Sequence, residues 1–128
     1  MTKSIILILT VVLLAGCAMS MTPSEFIDKF PESTESNFYN VADADIALST
    51  GECRLLVTGR NYSAPIALTV DGDLNNGASG VDEWVQIDGG NAYRLLNFEW
   101  IDVWDATQLI VYFDTMICEK VEPRQLGA

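Results

Sequence analysis

Histidine is absent from the 128 residues, and only seven basic residues stand against 18 acidic ones. Without histidine, the chain lacks the usual general base of a serine or cysteine nucleophile, and lysines for a Ser-Lys dyad are few. The formal net charge of -11 repels nucleic acid and anionic lipid headgroups. These shortages exclude the common hydrolase triads and a nucleic-acid partner, and nothing in the composition calls for a cofactor.

Long apolar runs are also scarce, with one exception at the N-terminus. Lys3 precedes an apolar run from Ile5 to about Met19, which is shorter than the roughly 20 residues that a membrane-spanning helix needs. No basic stop-transfer cluster follows it. One basic residue, an apolar core and small residues at its end are typical of a secretory signal peptide, which we assign to residues 1–16. A membrane-spanning helix is the alternative.

The tetrad Leu14-Ala15-Gly16-Cys17 closes this segment and resembles the lipobox of bacterial lipoproteins. The resemblance implies that diacylglycerol alkylates the Cys17 thiol, that cleavage makes Cys17 the first mature residue, and that its new amine is acylated. Two or more acyl chains hold a protein stably on a membrane. Enterobacterial members with aspartate after the cysteine are retained at the inner membrane. Because Ala18 stands there, the resemblance implies an outer-membrane protein that faces the periplasm.

The mature chain is expected to hold one domain of about 112 residues, a size that can bury most of its unfolded surface. Residues 17–22 are the predicted lipidated cysteine and short tether, residues 23–122 a single globular domain, and residues 123–128 a loose tail. A tether of about five residues reaches under about 20 Å even when fully extended. The domain should therefore sit against the membrane surface.

Cys53 and Cys118 are the two cysteines that the lipid does not use. In an exported protein such a pair favours one disulfide. The bridge would close a loop of about 66 residues and stabilise the fold by roughly 4 kcal/mol. Two free buried thiols are the alternative. A zinc site on the pair is not expected, because the chain has no histidine to complete it.

Two helices are predicted near the start of the domain. The segment Thr22-Pro23-Ser24-Glu25 is a capping box with proline at the first helical position, and Pro31 should end this helix at the residue before it. Asn40 can cap a second helix that Gly51 would terminate. A strand over Phe38–Val41 is the alternative at this point of the chain.

Five strands are predicted after Gly51, since runs of β-branched and aromatic residues are separated there by turn-forming residues. They are Cys53–Thr58, Ile66–Val70, Val81–Ile87, Tyr93–Val103 and Leu109–Ile117. Short connections favour antiparallel pairing. The predicted class is therefore α+β, with one or two short N-terminal helices packed on an antiparallel sheet of about five strands. A mainly β sandwich or barrel is the alternative.

Asp71, Asp73 and Asn75 place side-chain oxygens at alternate positions, as in the opening of a calcium-binding EF-hand loop. The segment departs from that pattern at the sixth place, where Asn76 replaces glycine, and at the twelfth, where Asp82 replaces the bidentate glutamate. A hairpin loop built from turn-forming residues is the favoured interpretation. We expect weak calcium binding or none.

Phe98, Trp100, Asp102 and Trp104 alternate along one predicted strand and should share one face. Two exposed tryptophans around an acid suit the stacking of a sugar ring, whose hydroxyl groups the carboxylate can bind. A core-facing stripe is the alternative. The pattern favours one buried tryptophan and one that is partly exposed near Asp105.

Three functions remain open. The favoured hypothesis is a non-catalytic module, anchored to the membrane through Cys17, that contacts another envelope protein or a cell-wall component. One alternative is an acidic inhibitor that fills the basic cleft of an exported enzyme. The other is a glycan-binding protein that uses the aromatic strand. The chain is not expected to be an enzyme.

Overall fold

The computed structural model describes residues 21–104 and 106–119 of the chain. Helices and strands follow in the order α1 (Pro23–Ser33), β1 (Asn37–Tyr39), α2 (Val41–Thr50), β2 (Cys53–Ser63), α3 (Val70–Ile87), β3 (Ala92–Val103) and β4 (Ala106–Cys118). The predicted signal peptide, the predicted lipidation site at Cys17 and the predicted tail of residues 123–128 lie outside the described residues.

The four strands of the described chain form one mixed sheet in the order β1-β3-β4-β2. β4 pairs antiparallel with β3 on one edge and with β2 on the other, whereas β1 pairs parallel with β3. The predicted α+β class is confirmed. The predicted antiparallel sheet of about five strands is close but not exact, because the described sheet has four strands and one of them, β1, pairs parallel. Short connections do not constrain β1, because α2, β2 and α3 separate it from β3 in the chain.

The two N-terminal helices begin where the sequence predicts. The side chains of Thr22 and Asn40 accept hydrogen bonds from the backbone N–H groups of Glu25 and Asp43, which is the contact that stabilises the first turn of a helix. α2 ends before Gly51, whose φ of 82° is the left-handed conformation of a glycine after a helix. The short strand β1 lies before α2, at the point where the alternative prediction places a strand over residues 38–41.

α1 runs past Pro31 to Ser33, so the predicted stop at Pro31 is wrong. Proline removes one backbone hydrogen bond from a helix, here the one that residue 31 would donate to the carbonyl oxygen of Ile27, and only two further helical residues follow it. The Thr34 hydroxyl then donates to the carbonyl oxygen of Pro31 at 3.2 Å. This bond satisfies one of the acceptors that a helix end leaves without an intrahelical partner.

α3 occupies a segment for which the sequence predicts a loop and the strand Val81–Ile87, and the predicted strand Ile66–Val70 is also wrong. Buried residues recur along α3 at helical spacing, among them Leu74, Ala78, Val81 and Val85. Thr69 caps the helix by accepting a hydrogen bond from the backbone of Gly72 at 2.9 Å. The turn-forming residues are misleading here because aspartate, asparagine and threonine favour helix starts as well as loops.

Gly77 and Gly80 let α3 approach the sheet closely. A Cβ atom on Gly80 would lie 2.1 Å from a ring carbon of Tyr62, and one on Gly77 would lie 2.9 Å from a methyl group of Leu109. Glycine inside a helix costs about 1 kcal/mol relative to alanine. The close contact with the sheet explains why glycine stands at both positions.

The helices cover the two faces of the sheet unequally. α1 and α3 pack on one face over the main core, which includes Phe26, Phe30 and Tyr93. α2 covers one end of the other face, around Cys53 and Cys118. We call this the disulfide end. The opposite end of the sheet, where β3 turns into β4 between Val103 and Ala106, is called the hairpin end.

Gly80→Ala is expected to lower the free energy of unfolding by about 1–3 kcal/mol, because the added methyl group overlaps the Tyr62 ring. Urea denaturation of the two proteins measures the difference. Ser79→Ala, at an exposed position of the same helix, is the matched control and should change stability by less than about 0.5 kcal/mol. Equal stability of Gly80→Ala and the wild type would contradict the close packing of α3.

Candidate functional site

Cys53 and Cys118 are bonded in the structure and join the outer strand β2 to β4. The two residues stand opposite each other in the strand register, and their Cα atoms are 4.0 Å apart. This distance is well below the separation of about 7 Å beyond which a bridge cannot form. The structure thus has the bridge that the sequence predicts, and its loop contains α3 and β3.

Asp71, Asp73 and Asn75 do not converge on one point. They lie at the start of α3, where side chains two residues apart point to different sides of a helix. Asp71 and Asn75 are exposed, whereas Asp73 is fully buried. The EF-hand-like loop and the hairpin loop are therefore both wrong as interpretations of this segment. No group of three or more histidine, cysteine, aspartate or glutamate residues able to hold a metal occurs within residues 21–104 and 106–119.

The buried carboxylate of Asp73 instead fastens the loop between β2 and α3 to the hairpin end. It accepts a hydrogen bond from the backbone N–H of Ala67 at 2.9 Å and another from the hydroxyl of Thr107 at 3.4 Å. Thr107 is the second residue of β4. Asp73 therefore has a structural role that its place in an apparent loop conceals.

Phe98 and Trp100 lie on one face of the sheet, as their alternation predicts, and α1 covers that face. Phe26 of α1 stacks on Phe98 with the ring centroids 3.9 Å apart, and it meets Trp100 edge-on at 6.4 Å. The indole N–H of Trp100 is buried and has no hydrogen-bond partner among the residues described. Trp100 is therefore half-buried at the edge of the core. Asp102, on the same face by its register, is exposed.

Trp104 departs from the alternation because it lies in the turn after β3. Its φ is 57° and it is 98% exposed. The left-handed conformation costs a residue other than glycine about 1–2 kcal/mol. Instead of one buried and one partly exposed tryptophan, the structure has a half-buried Trp100 and an almost wholly exposed Trp104. Because Trp100 packs against Phe26, the pair does not present two free indole faces to a sugar ring.

Asp114 of β4 binds two neighbouring strands on the side of the sheet that α2 covers. Its carboxylate accepts hydrogen bonds from Arg94 at 2.6 Å and from the backbone N–H of Gly59 at 2.8 Å. Arg94 also reaches Asp45 of α2 at 3.1 Å. The side chains of Arg94 and Asp114 are only 15% and 4% exposed, so this pair between β3 and β4 is shielded from solvent. The contact with α2 is open to solvent, because the Asp45 side chain is 66% exposed.

Asp88, directly after α3, makes the corresponding connection on the other face. It accepts hydrogen bonds from Arg60 at 3.1 Å and from the Thr115 hydroxyl at 2.8 Å. The Arg60 guanidinium lies 4.0 Å from the ring centroid of Trp84, which is within the range of a cation–π contact. Hydrogen bonding to Arg60 lowers the pKa of Asp88, and the bond from Thr115 acts in the same direction, against the effect of burial.

A shallow groove of about 310 Å³ lies between α3 and the loop that leads into β1. Asp82 enters this groove from α3. Its carboxylate accepts hydrogen bonds from the backbone N–H groups of Glu35 and Ser36 and from the Ser36 hydroxyl. These bonds hold the loop, so the acid is engaged in positioning β1 beside β3.

The sequence does not predict that the side chains of Asp73, Asp88 and Asp114 are buried and hydrogen-bonded within the fold. Most of their side-chain partners are 20 or more residues away in the chain, so no local pattern reveals them. The one available signal is Asp114 itself, a charged residue inside the otherwise apolar and aromatic run of β4. A charge in a buried strand requires a partner.

No family model matches the chain, and comparison with curated proteins and with solved structures finds no match either. None of the helices within the described ranges is long and apolar enough to cross a membrane. Function is therefore inferred from the residues of this chain.

Acidification should destabilise the protein, and Asp88 should account for part of the loss. A carboxylate whose pKa is lowered on folding stabilises the fold above its unfolded pKa, near 3.8, and this contribution is lost as the pH falls through the folded value. Asp88→Asn should be less stable than the wild type near neutral pH and should lose less stability in acid. Urea denaturation from about pH 7 down to about pH 3 measures both.

Asp71→Asn, which changes an exposed acid at the start of α3, is the matched control for this experiment. Its stability should decline with pH in the same way as that of the wild type. A decline of Asp88→Asn that runs parallel to the wild type would contradict a stabilising role for the Asp88 charge.

Proposed function

We propose that this protein is a bacterial lipoprotein whose domain acts, without catalysis, as an interaction module at an envelope membrane. The observation that carries the proposal is the lipobox Leu14-Ala15-Gly16-Cys17 at the end of an apolar N-terminal segment. Diacylglycerol on Cys17 and acylation of its amine would supply the acyl chains that stable anchoring needs. Because Ala18 follows the cysteine, we place the protein at the outer membrane, facing the periplasm.

The point at which the fold begins supports a domain held close to the bilayer. Thr22 already caps α1, and Met21 packs against the main core. Three residues separate Cys17 from Met21, and this stretch spans at most about 15 Å. The partner must therefore lie within reach of a domain that is itself held at the membrane surface, as another envelope protein or a cell-wall component would.

The contacts of the buried acids support a domain without catalytic activity. Asp73, Asp88 and Asp114 each bind a backbone N–H group, a hydroxyl group or an arginine of the fold itself. A general acid or base must reach the proton of a bound substrate, whereas these three carboxylates are engaged in holding secondary-structure elements together. The chain also has no histidine that could act as a general acid or base.

Acidic side chains at the disulfide end favour a partner with a basic surface. Asp43 and Glu52 lie near Tyr39, and burial together with these two charges raises the pKa of Tyr39. The exposed Glu119 is bonded through its backbone to Glu52. These three acids outnumber the exposed Arg54 at the same end, and a surface of net negative charge speeds association with a basic partner and suppresses association with an acidic one. Inhibition of an exported enzyme with a basic cleft is the second candidate function, and it rests on this acidic end.

Cys17→Ser should release the protein from the membrane or leave it as uncleaved precursor, because the serine oxygen cannot form the thioether that carries the lipid. Flotation of membranes from cells that express the full chain, followed by immunoblotting, measures the distribution and the length of the product. Ala18→Ser is the matched control and should float as the wild type does. Cleaved Cys17→Ser protein that still floats with membranes would contradict the proposed anchor.

A further inference from the structure

We propose that the hairpin end of the domain docks on the lipid bilayer, with Trp104 and Leu68 entering the membrane interface. This inference rests on the proposed lipid anchor at Cys17 and adds an orientation to it. Trp104 is 98% exposed and Leu68 is 91% exposed, which makes them the two most exposed large apolar side chains of the described residues. A folded domain in water gains nothing from exposing either side chain.

Hydrogen bonds place Leu68 at the same end of the molecule as Trp104. Leu68 follows Ala67, whose backbone N–H donates to the Asp73 carboxylate at 2.9 Å. The other oxygen of that carboxylate accepts from Thr107, three residues after Trp104. The loop that carries Leu68 is thus fastened beside the turn that carries Trp104.

The chain also enters the fold near this end. Phe30 of α1 meets Tyr93, at the start of β3, with ring centroids 6.2 Å apart, whereas Phe26 contacts Phe98 and Trp100 farther along β3. α1 therefore runs antiparallel to β3, and its first residue points toward the hairpin end. A lipid on Cys17, four residues before Met21, would hold Met21, at the end of α1 nearer the hairpin end, within about 15 Å of the bilayer.

The left-handed backbone conformation of Trp104 indicates that the exposed indole has a function. A hairpin-turn position with positive φ ordinarily takes asparagine or glycine, yet Trp104 has a φ of 57°. At 98% exposure, packing within the described fold does not offset the cost of this conformation. Strain of this kind is concentrated at functional sites. Tryptophan is also one of the two residues enriched where proteins meet the membrane interface.

The charges near the hairpin end indicate which lipids it tolerates. Asp71 and Asp102 are exposed there, so anionic headgroups would be repelled and zwitterionic headgroups accepted.

Burial of one tryptophan and one leucine contributes only a few kcal/mol, which is too little for stable attachment of a soluble protein. A lipid tether raises the effective concentration of the domain at the surface. The two side chains then set the orientation, while the acyl chains supply the attachment.

The test uses the mature lipidated protein in phosphatidylcholine vesicles whose acyl chains carry bromine, which quenches nearby indoles. Flotation of the vesicles first establishes attachment. Trp104 is one of three tryptophans, so bromine should quench up to about a third of the emission, and Trp104→Phe should remove this quenchable fraction. Trp84→Phe is the matched control, because Trp84 packs under Arg60, and it should keep the quenchable fraction.

A second pair of variants maps the orientation in the Trp104→Phe background. Leu68→Trp should restore quenching by bromine, whereas Ile46→Trp, at a 63% exposed position of α2 at the disulfide end, should not. Equal quenching of the two new indoles would overturn the proposed orientation. Identical quenching of the wild type and Trp104→Phe would overturn it too.

Flotation separates the two possible failures. Protein that does not float with the vesicles contradicts the lipid anchor at Cys17 and this inference with it. Protein that floats but has no quenchable Trp104 contradicts the docking of the hairpin end alone.

Discussion

Pairing of β4 along both of its edges is the constraint on which the rest of the fold depends. β3 and β2 each pair with it over most of its length. Its side chains enter both cores, with Val111 and Phe113 under α1 and α3 and Met116 under α2. Truncation of a core phenylalanine to alanine costs about 3–5 kcal/mol, which is a large part of the stability of a domain this small. No other strand of the described chain serves both cores to this extent.

The polar residues of β4 also position the charged groups of the fold. Asp114 and Thr115 are neighbours on opposite faces of the strand. Asp114 binds Arg94 on the side of α2, while Thr115 donates to Asp88 on the side of α3. Removal of one partner of a buried ion pair is strongly destabilising, because the remaining charge stays without compensation. The strand that organises the apolar packing therefore also positions both shielded ion pairs, and the disulfide at its end fastens it to β2.

Local signals were sufficient for part of this fold. The capping residues predicted the starts of α1 and α2, and runs of β-branched and aromatic residues predicted the long strands β3 and β4. The sequence does not predict α3, because the glycines inside it are explained by close contact with the sheet, as between Gly80 and Tyr62. Such contacts leave no local pattern in the sequence. The parallel pairing of β1 is likewise a non-local property. At the candidate site, alternation predicted the side of Trp100 but not the exposure of Trp104, because the strand period ends at the turn.

The two ends of the sheet serve different purposes in the proposed function. β4 spans 13 residues, roughly 40 Å, so a hairpin end docked on the bilayer leaves the acidic disulfide end facing away, toward a partner. Everything in this arrangement requires lipid on Cys17. Mass spectrometry of the N-terminal peptide of protein isolated from membranes tests it most directly. The expected peptide begins at Cys17 and carries a diacylglyceryl thioether and an acylated amine. A mature chain that begins elsewhere, or an unmodified Cys17 thiol, would contradict the proposed anchor.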